Sequence, residues 1–290
     1  MSLEGFLFII VSALFHVLWN TCLKGAEDKM SAVVLLMLVA ALSMWGSTWI
    51  TGSAKGALQL EVLGSAATAG MFFFLYQFFV AKALTRGELS RIYPLTVTGP
   101  IFIAVWSFFL LGERITLFGG AGILLIIYGS ICIQTNTLRL RPGRLLGGDL
   151  GGSGALFAIL AAFFYSFGAI ADKIGVTVGQ VSAYTLDLCL VMALFHLGSL
   201  RFVSHSKGII RTAGQSPLLV LGGGIILMLS FVTFRLGLAE VYASYASALR
   251  QVSTLFGMGI GYFVFREPFG RARVLSTLCI MVGAACLKLG

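Results

Sequence analysis

Residues 5–24 read GFLFIIVSALFHVLWNTCLK, and residues 154–173 read GALFAILAAFFYSFGAIADK. The two stretches align without a gap at an offset of 149 residues, with glycine opposite glycine at the first position and lysine opposite lysine at the last. Each is largely apolar and about 20 residues long, the length of an α-helix that crosses roughly 30 Å of hydrocarbon. The chain therefore repeats a membrane-spanning helix.

The repeat continues further along the chain at an offset of 154 residues. The matching pairs are Leu84 with Leu238, Ser90 with Ser244, Leu95 with Leu249, and Glu113 with Glu267. Because the start and the end of each half are both duplicated, the whole half is the unit of repetition. We expect a first repeat over residues 1–137, a connecting loop over 138–152 and a second repeat over 153–290.

The composition is that of an integral membrane protein. Of the 290 residues, 58% are hydrophobic and 11% are charged, and the mean hydropathy is +0.98, whereas a soluble domain carries roughly 25% charged residues. Barrel strands would be about half as long as the apolar segments here and would alternate apolar with polar residues. The sequence predicts an all-α bundle of ten transmembrane helices. They lie near residues 5–23, 31–51, 61–80, 92–111, 115–134, 153–172, 181–200, 217–237, 241–264 and 270–288.

Each half holds five of these predicted helices. Because five is an odd number, the second half enters the membrane from the side opposite to the first. The sequence therefore predicts two inverted five-helix repeats, an architecture from which many secondary transporters are built.

The basic residues predict the orientation in the membrane. Fourteen Lys and Arg residues flank the odd-numbered connections between spans, and four flank the even-numbered ones. The fourteen are Lys24, Lys29, Lys82, Arg86, Arg91, Arg139, Arg141, Arg144, Arg201, Lys207, Arg211, Arg266, Arg271 and Arg273; the four are Lys55, Arg114, Lys173 and Lys288. Since Lys and Arg accumulate in cytoplasmic loops, both termini are expected outside the cytoplasm.

Two segments carry a resemblance to a known family. LTVTGPIFIAVWSFFLLGE (95–113) and LRQVSTLFGMGIGYFVFREP (249–268) are similar to the fourth and ninth helices of the EamA-type branch of the drug/metabolite transporter superfamily. The resemblance implies a ten-helix transporter whose central cavity opens to alternate sides. It implies no single substrate, because members carry amino acids, nucleotide sugars, choline-like cations and lipid-linked sugars. Members are often drawn with both termini cytoplasmic, the reverse of what the basic residues predict here.

Polar side chains form a stripe along the first predicted span. They recur at every fourth residue and so share one face of a helix: Ser12, His16, Asn20 and Lys24. Trp19 lies beside them, and Tyr165 occupies the position of His16 in the second repeat. Polar groups in hydrocarbon normally face the bundle interior. The stripe predicts either a cavity wall or a set of bonds between helices, and we favour the cavity wall.

Two ionisable residues lie well inside predicted spans. Arg250 is about nine residues into the ninth span and Asp187 about seven into the seventh. Counting 1.5 Å per residue puts both within roughly 6 Å of the depth of His16. Opposite charges at one depth suggest an Asp187–Arg250 pair, which is either structural or a site where a substrate competes. Arg250 would bind the acidic group of a substrate, and Asp187 or His16 would carry a coupling proton.

The remaining charged residues near span ends are expected to have structural roles. Arg235 would extend its guanidinium to the membrane interface, Lys24 and Lys173 would anchor helix ends, and Glu113 and Glu267 would cap helices at tight turns.

The fourth and ninth spans supply further candidate wall residues. Pro94 and Pro100 leave backbone carbonyls without partners, which is tolerated only beside a cavity or a protein partner. Thr96 occupies the position that Arg250 has in the second repeat. The predicted substrate-binding residues are Arg250, His16, Trp19, Asn20, Tyr76, Gln77, Tyr93, Thr96, Tyr165, Tyr184 and Gln251.

These features favour a secondary transporter of a small polar metabolite, such as an exporter of amino acids or related compounds. A gradient would drive it, because the sequence contains no ATP-binding motif. The alternative is a flippase for a lipid-linked headgroup or lipid-linked sugar. An enzyme is not expected, since there is no HExxH, GxSxG or paired His/Asp cluster.

No cofactor, metal or nucleic-acid partner is expected, and the sequence does not require an oligomer. The five cysteines form no CxxC pair and are interpreted as small hydrophobic residues. The expected partners are a small polar or amphipathic substrate and the lipid bilayer. The expected location is the cell membrane, in bacteria the inner membrane.

The orientation gives a first testable prediction. A cysteine introduced at Ser2, with the native cysteines replaced, is expected to react with a membrane-impermeant thiol reagent in intact cells. A matched cysteine at Thr137, in an odd-numbered connection, is expected to react only after lysis. If Thr137→Cys is labelled in intact cells and Ser2→Cys is not, the predicted orientation is wrong and both termini are cytoplasmic.

Overall fold

A computed structural model describes residues 1–86, 95–139, 153–199, 206–215, 217–263, 266 and 270–290. All regular structure in these ranges is helical. The helices are α1 (Leu3–Lys24), α2 (Lys29–Thr51), α3 (Leu60–Leu84), α4 (Gly99–Leu111), α5 (Leu117–Thr135), α6 (Ser153–Val178), α7 (Val181–Ser199), α8 (Ser206–Gln215), α9 (Pro217–Glu240), α10 (Ala243–Arg250), α11 (Ser253–Phe263) and α12 (Arg271–Leu289).

Eight of these helices are long and apolar enough to cross a membrane, namely α1, α2, α3, α5, α6, α7, α9 and α12. The fourth predicted span contains the shorter apolar helix α4, and residues 87–94 at its start lie outside the described ranges. The ninth span is divided into α10 and α11. The short amphipathic helix α8 precedes α9 and is an addition to the ten predicted spans.

Local sequence signals explain where several helices begin and end. The Ser2 hydroxyl accepts the N–H of Gly5 at 3.1 Å, and the Thr116 hydroxyl accepts that of Gly119 at 3.0 Å, so each satisfies a free donor at a helix start. Asp28 does the same for α2. Gly52 ends α2 at φ +66°, a left-handed conformation that glycine adopts without strain.

The packing of the helices follows the sequence repeat, in which α1, α2, α3, α4 and α5 correspond to α6, α7, α9, α10–α11 and α12. α1 packs along α9, and the corresponding helices α6 and α3 pack along each other. α2 packs on α9, and the corresponding helices α7 and α3 pack on each other. The contacts α5–α12 and α2–α7 each join two corresponding helices, so they are unchanged when the halves are exchanged. Exchanging the halves therefore reproduces the contacts, and the predicted bundle of two inverted five-helix repeats is confirmed.

Both repeats interrupt their fourth helix at the same position. Regular helical bonding stops at residues 97–98 and again at 251–252, which are 154 residues apart. The N–H of Thr98 bonds to the carbonyl of Leu95 at 3.2 Å, and the corresponding N–H of Val252 bonds to that of Leu249 at 3.0 Å. In the first repeat Pro100 lacks the N–H that a continuous helix would need there. As a result α4 and α11 begin inside the bundle.

The two termini lie at one end of the bundle, where Lys288 Nζ donates to the carbonyl of Met1 at 2.8 Å. We call this end, which holds Met1 and Gly290, the terminal face. Because the spans alternate in direction, the terminal face also holds the connections 52–59, 112–116, 179–180 and 241–242.

Glycines allow the last helices of the two halves to approach closely. A Cβ on Gly122 of α5 would lie 2.7 Å from the carbonyl oxygen of Gly283 on α12. A Cβ on Gly129 would lie 2.7 Å from the carbonyl oxygen of Ser276. Gly129 corresponds to Gly283 in the repeat, and Gly122 to Ser276, so the two close contacts are related by the same exchange.

This contact predicts that Gly122→Ala destabilises the protein, because a methyl group cannot fit 2.7 Å from a backbone oxygen without moving α12. The expected loss in free energy of unfolding is about 1–3 kcal/mol. Gly120→Ala is the matched control on the same helix, since its Cβ would meet only the Ile115 side chain at 3.8 Å. Thermal unfolding in detergent measures both variants, and equal midpoints would contradict the packing argument.

Candidate functional site

Arg250, the last residue of α10, contacts the polar stripe of α1. Its Nη2 lies 3.3 Å from Nδ1 of His16, and Trp19 Nε1 donates to the same Nδ1 at 3.3 Å. Guanidinium and indole N–H groups can only donate, so Nδ1 must be the acceptor and the ring proton is assigned to Nε2. His16 is thus a neutral acceptor shared by Arg250 and Trp19.

The guanidinium of Arg250 packs against an aromatic ring rather than against a carboxylate. Its guanidinium carbon lies 4.2 Å from the ring centroid of Phe234 on α9, a favourable cation–π distance. Within the described ranges no carboxylate lies at ion-pair distance from Arg250. A half-buried cation in this setting can accept an anion from outside the protein.

Two tyrosines from the other helix pair lie opposite. The rings of Tyr76 on α3 and Tyr165 on α6 are 5.2 Å apart between centroids, and both residues lie within electrostatic range of Arg250. Tyr165 packs over Gly99, where a Cβ would come within 3.1 Å of its ring. We call these residues the central cluster. They are Arg250, His16, Trp19, Phe234, Tyr76 and Tyr165. All except Phe234 are partly exposed.

The expected Asp187–Arg250 pair does not form. Both carboxylate oxygens of Asp187 accept the backbone N–H of Leu58, at 3.1 and 3.0 Å. Leu58 has φ +61°, so its loop needs a specific partner to hold that conformation. Asp187 is completely buried, and it anchors the α2–α3 loop at the terminal face.

The other predicted site residues lie outside the central cluster. Asn20 is exposed and its amide donates to the His16 carbonyl at 2.6 Å. Gln77 is hydrogen-bonded to His196 of α7 at 2.7 Å. Tyr184 is completely buried against Gly175, outside the central cluster. Thr96 and Gln251 are half-buried at the two helix interruptions, and Tyr93 lies outside the described residues.

A buried ion pair was missed by the sequence analysis. Arg235 Nε donates to Asp172 Oδ1 at 2.9 Å, and the two side chains are only 4% and 2% exposed. The prediction that Arg235 extends to the membrane interface is therefore wrong, because its guanidinium is turned inward to α6. Asp172 is visible in the sequence as an acidic residue inside an apolar helix, next to the aligned Lys173.

Glu113 and Lys173 link helices at the terminal face. The Glu113 carboxylate accepts hydrogen bonds from the backbone N–H groups of Ala243 and Ser244. This confirms the predicted capping role of Glu113, and the helix that it caps is α10 of the other half. Lys173 Nζ donates to the carbonyls of Leu238 and Val241, at 2.8 and 2.9 Å, and so neutralises the end of α9. Glu267, the counterpart of Glu113, lies outside the described residues.

Comparison with known proteins agrees with this architecture. The EamA-like transporter family matches residues 3–135 and 152–289. A solved structure titled "Crystal structure of protein" has a TM-score of 0.77 and 20% sequence identity, with 99% of this chain and 96% of that chain covered. At this identity the likeness shows the shared fold alone. A comparison with curated proteins found no match.

The Glu113 cap predicts that Glu113→Gln destabilises the contact between the halves. A glutamine amide presents its own N–H groups to the N–H donors of α10, so the expected loss is about 1–3 kcal/mol in free energy of unfolding. Glu61→Gln, at the exposed start of α3, is the control and should change it by less than about 0.5 kcal/mol. Thermal unfolding in detergent compares them, and a loss no larger than that of the control would contradict the prediction.

Proposed function

Since the chain belongs to the EamA-like transporter family, and is thus a multi-pass membrane transporter of small molecules, we propose that it is a gradient-driven exporter of amino acids or related compounds. It would work by alternating access around the central cluster. The proposed location is the bacterial inner membrane.

The observation that carries this proposal is the environment of Arg250. A guanidinium keeps its charge at any physiological pH, and here it lies between the ring of Phe234 and the neutral ring of His16. Neither of these groups neutralises the charge. The carboxylate of a substrate would do so, and it would gain a charge-assisted, bidentate contact that water does not provide.

The interrupted helices add to the attraction for an anion. α4 and α11 both begin inside the bundle, at Gly99 and Ser253. The start of a helix carries a partial positive charge, and transporters built from inverted repeats use such half-helices at their substrate sites. Because Arg250 lies directly before the interruption in the second repeat, both effects act on the same region.

The aromatic residues of the central cluster would bind the rest of the substrate. Trp19 lies on α1, and Tyr76 and Tyr165 lie on the opposite helix pair α3–α6. An ammonium group can bind to the faces of such rings, so a molecule with both an acidic and a basic group fits. A substrate in contact with both helix pairs would couple its occupancy to their relative movement.

In this proposal a proton supplies the driving force, and His16 is better placed than Asp187 to carry it. When a substrate carboxylate binds Arg250, the contact between Arg250 and His16 Nδ1 is weakened. Nδ1 then keeps only the Trp19 N–H as a donor, and it can accept a proton once that indole turns away. Asp187, in contrast, already accepts two contacts from the Leu58 N–H.

The test is counterflow of a mixture of radiolabelled amino acids in vesicles that contain matched amounts of protein. Arg250→Lys keeps the charge but loses the planar fork, and it should slow transport about ten- to a hundredfold, as expected for a contact of about 1.5–3 kcal/mol. Arg250→Ala should abolish transport. Arg114→Lys and Arg114→Ala, at an exposed position of the terminal face, are the matched controls.

Normal counterflow by Arg250→Ala would refute the role of Arg250. Failure of the wild-type protein to exchange any amino acid, together with movement of fluorescent lipids between leaflets in the same vesicles, would favour the flippase alternative.

A further inference from the structure

The Asp172–Arg235 pair is not explained by substrate binding at the central cluster. Both side chains are almost fully buried inside a membrane protein. Buried ion pairs add little to stability, because desolvation of the two charges offsets their attraction. Ionisable groups inside a membrane are rare and usually serve proton or ion pathways.

The Asp172–Arg235 bond joins the two helix pairs of the bundle. α6 packs along α3, and α9 packs along α1, so the bond from Asp172 on α6 to Arg235 on α9 connects the two helix pairs. Both residues lie in the last two turns of their helices, towards the terminal face. The corresponding residues at the other end of the bundle are Leu23 and Ala81, which cannot form an ion pair.

Other polar and charged groups surround the pair. The ring centroid of Tyr184 lies 5.8 Å from the Arg235 guanidinium carbon, and its buried hydroxyl has no hydrogen-bond partner in the part of the chain that the structure describes. Arg235 Nη1 donates to the Phe231 carbonyl at 3.1 Å. The titratable and charged groups within electrostatic range of the pair are Tyr184 and Cys189 from α7, Tyr165 from α6 and Arg250 from α10.

We propose that Asp172 is a proton-binding site and that its protonation separates α6 from α9 at the terminal face. The proton comes from water at that face and binds a carboxylate oxygen of Asp172, which becomes a neutral carboxylic acid. Arg235 keeps its charge and loses its counter-ion. Arg235 then keeps the carbonyl and the ring of Phe231, neither of which carries a negative charge. A buried guanidinium without a counter-ion is costly in a dry interior, so water reaches it and α6 and α9 separate.

The pair also lies close to the substrate site. Phe234, the neighbour of Arg235 on α9, is the ring against which Arg250 rests. Movement of α9 at Arg235 therefore displaces the support of Arg250. This link to transport rests on the proposed function, whereas proton binding at Asp172 does not.

The sign of the pH effect follows directly. At higher pH Asp172 is ionised, the pair is intact and the terminal face is closed. At lower pH Asp172 is protonated, the pair is broken and the face is open. For an exporter whose terminal face lies outside the cell, external protons would open the side on which the substrate leaves.

The first experiment detects the proton itself and needs no substrate. Infrared difference spectra of the protein in phosphatidylcholine–phosphatidylglycerol vesicles are recorded as the pH is lowered. Because exposed carboxylates also become protonated as the pH is lowered, the signal is the difference between variants. One carbonyl band is expected to be common to the wild-type protein and Asp187→Asn and to be absent from Asp172→Asn. The same band in Asp172→Asn would overturn the proposal.

The second experiment measures the opening. Spin labels at Val178→Cys and Tyr242→Cys, both exposed positions at the ends of α6 and α9, report the distance between these ends in a background without native cysteines. The distance should increase at low pH in this background, be long at every pH with Asp172→Asn, and keep its pH dependence with Asp187→Asn.

If Asp172→Asn does not fold, the double variant Asp172→Asn/Arg235→Gln leaves no unpaired charge, and its distance should not depend on pH. A distance that is independent of pH in the background without these substitutions overturns the proposal, whatever the variants do. Pronounced pH dependence in the double variant overturns it as well. Because no transported compound is used, these results stand whether or not amino acids prove to be the substrate.

Discussion

A polar group inside the hydrocarbon region must find its partner within the protein. This constraint explains most of the specific contacts in the bundle. The Ser12 and Ser230 hydroxyls each bond to the other's backbone carbonyl across α1 and α9, at 2.9 and 3.3 Å, and Asp172 pairs with Arg235. Arg250 is half-buried and has no carboxylate partner among the described residues, and in the proposed function the acidic group of a substrate is that partner.

The sequence repeat supplies a symmetric scaffold, and the charges break its symmetry. The interrupted helices and the glycine contacts between α5 and α12 occur in related pairs. Arg250, Arg235 and Asp172, by contrast, all belong to the second half, and their counterparts Thr96, Ala81 and Leu23 are uncharged. A symmetric frame is suited to two equivalent open states. Under the two proposals made above, the asymmetric charges would make the two membrane faces respond differently to protons and anions.

Much of the fold follows from the sequence because the bilayer is a simple constraint. The number of apolar segments long enough to cross the bilayer predicts the number of spans. The constant offset between matching residues shows that the two halves are repeats, and the odd number of spans in each half means that the halves are inverted. The division of the ninth span was not predicted, since it contains no proline. The signal was nevertheless present, because the repeat aligns residues 251–252 with residues 97–98 of the proline-containing fourth span.

The sequence by itself determined an approximate depth for each charged residue, and only the tertiary structure decided which charges meet. Counting 1.5 Å per residue placed His16, Arg250 and Asp187 within roughly 6 Å of one level. His16 and Arg250 do meet, whereas Asp187 bonds to the α2–α3 loop at the terminal face. Partners also depend on which helices are neighbours and on how each is rotated about its axis. α1 lies beside α10, so Arg250 meets His16, whereas Asp187 on α7 faces the Leu58 loop. α6 lies beside α9 at the terminal face, so Asp172 and Arg235 meet although 63 residues separate them. These neighbours are set by close packing of small residues, which no count along one helix contains.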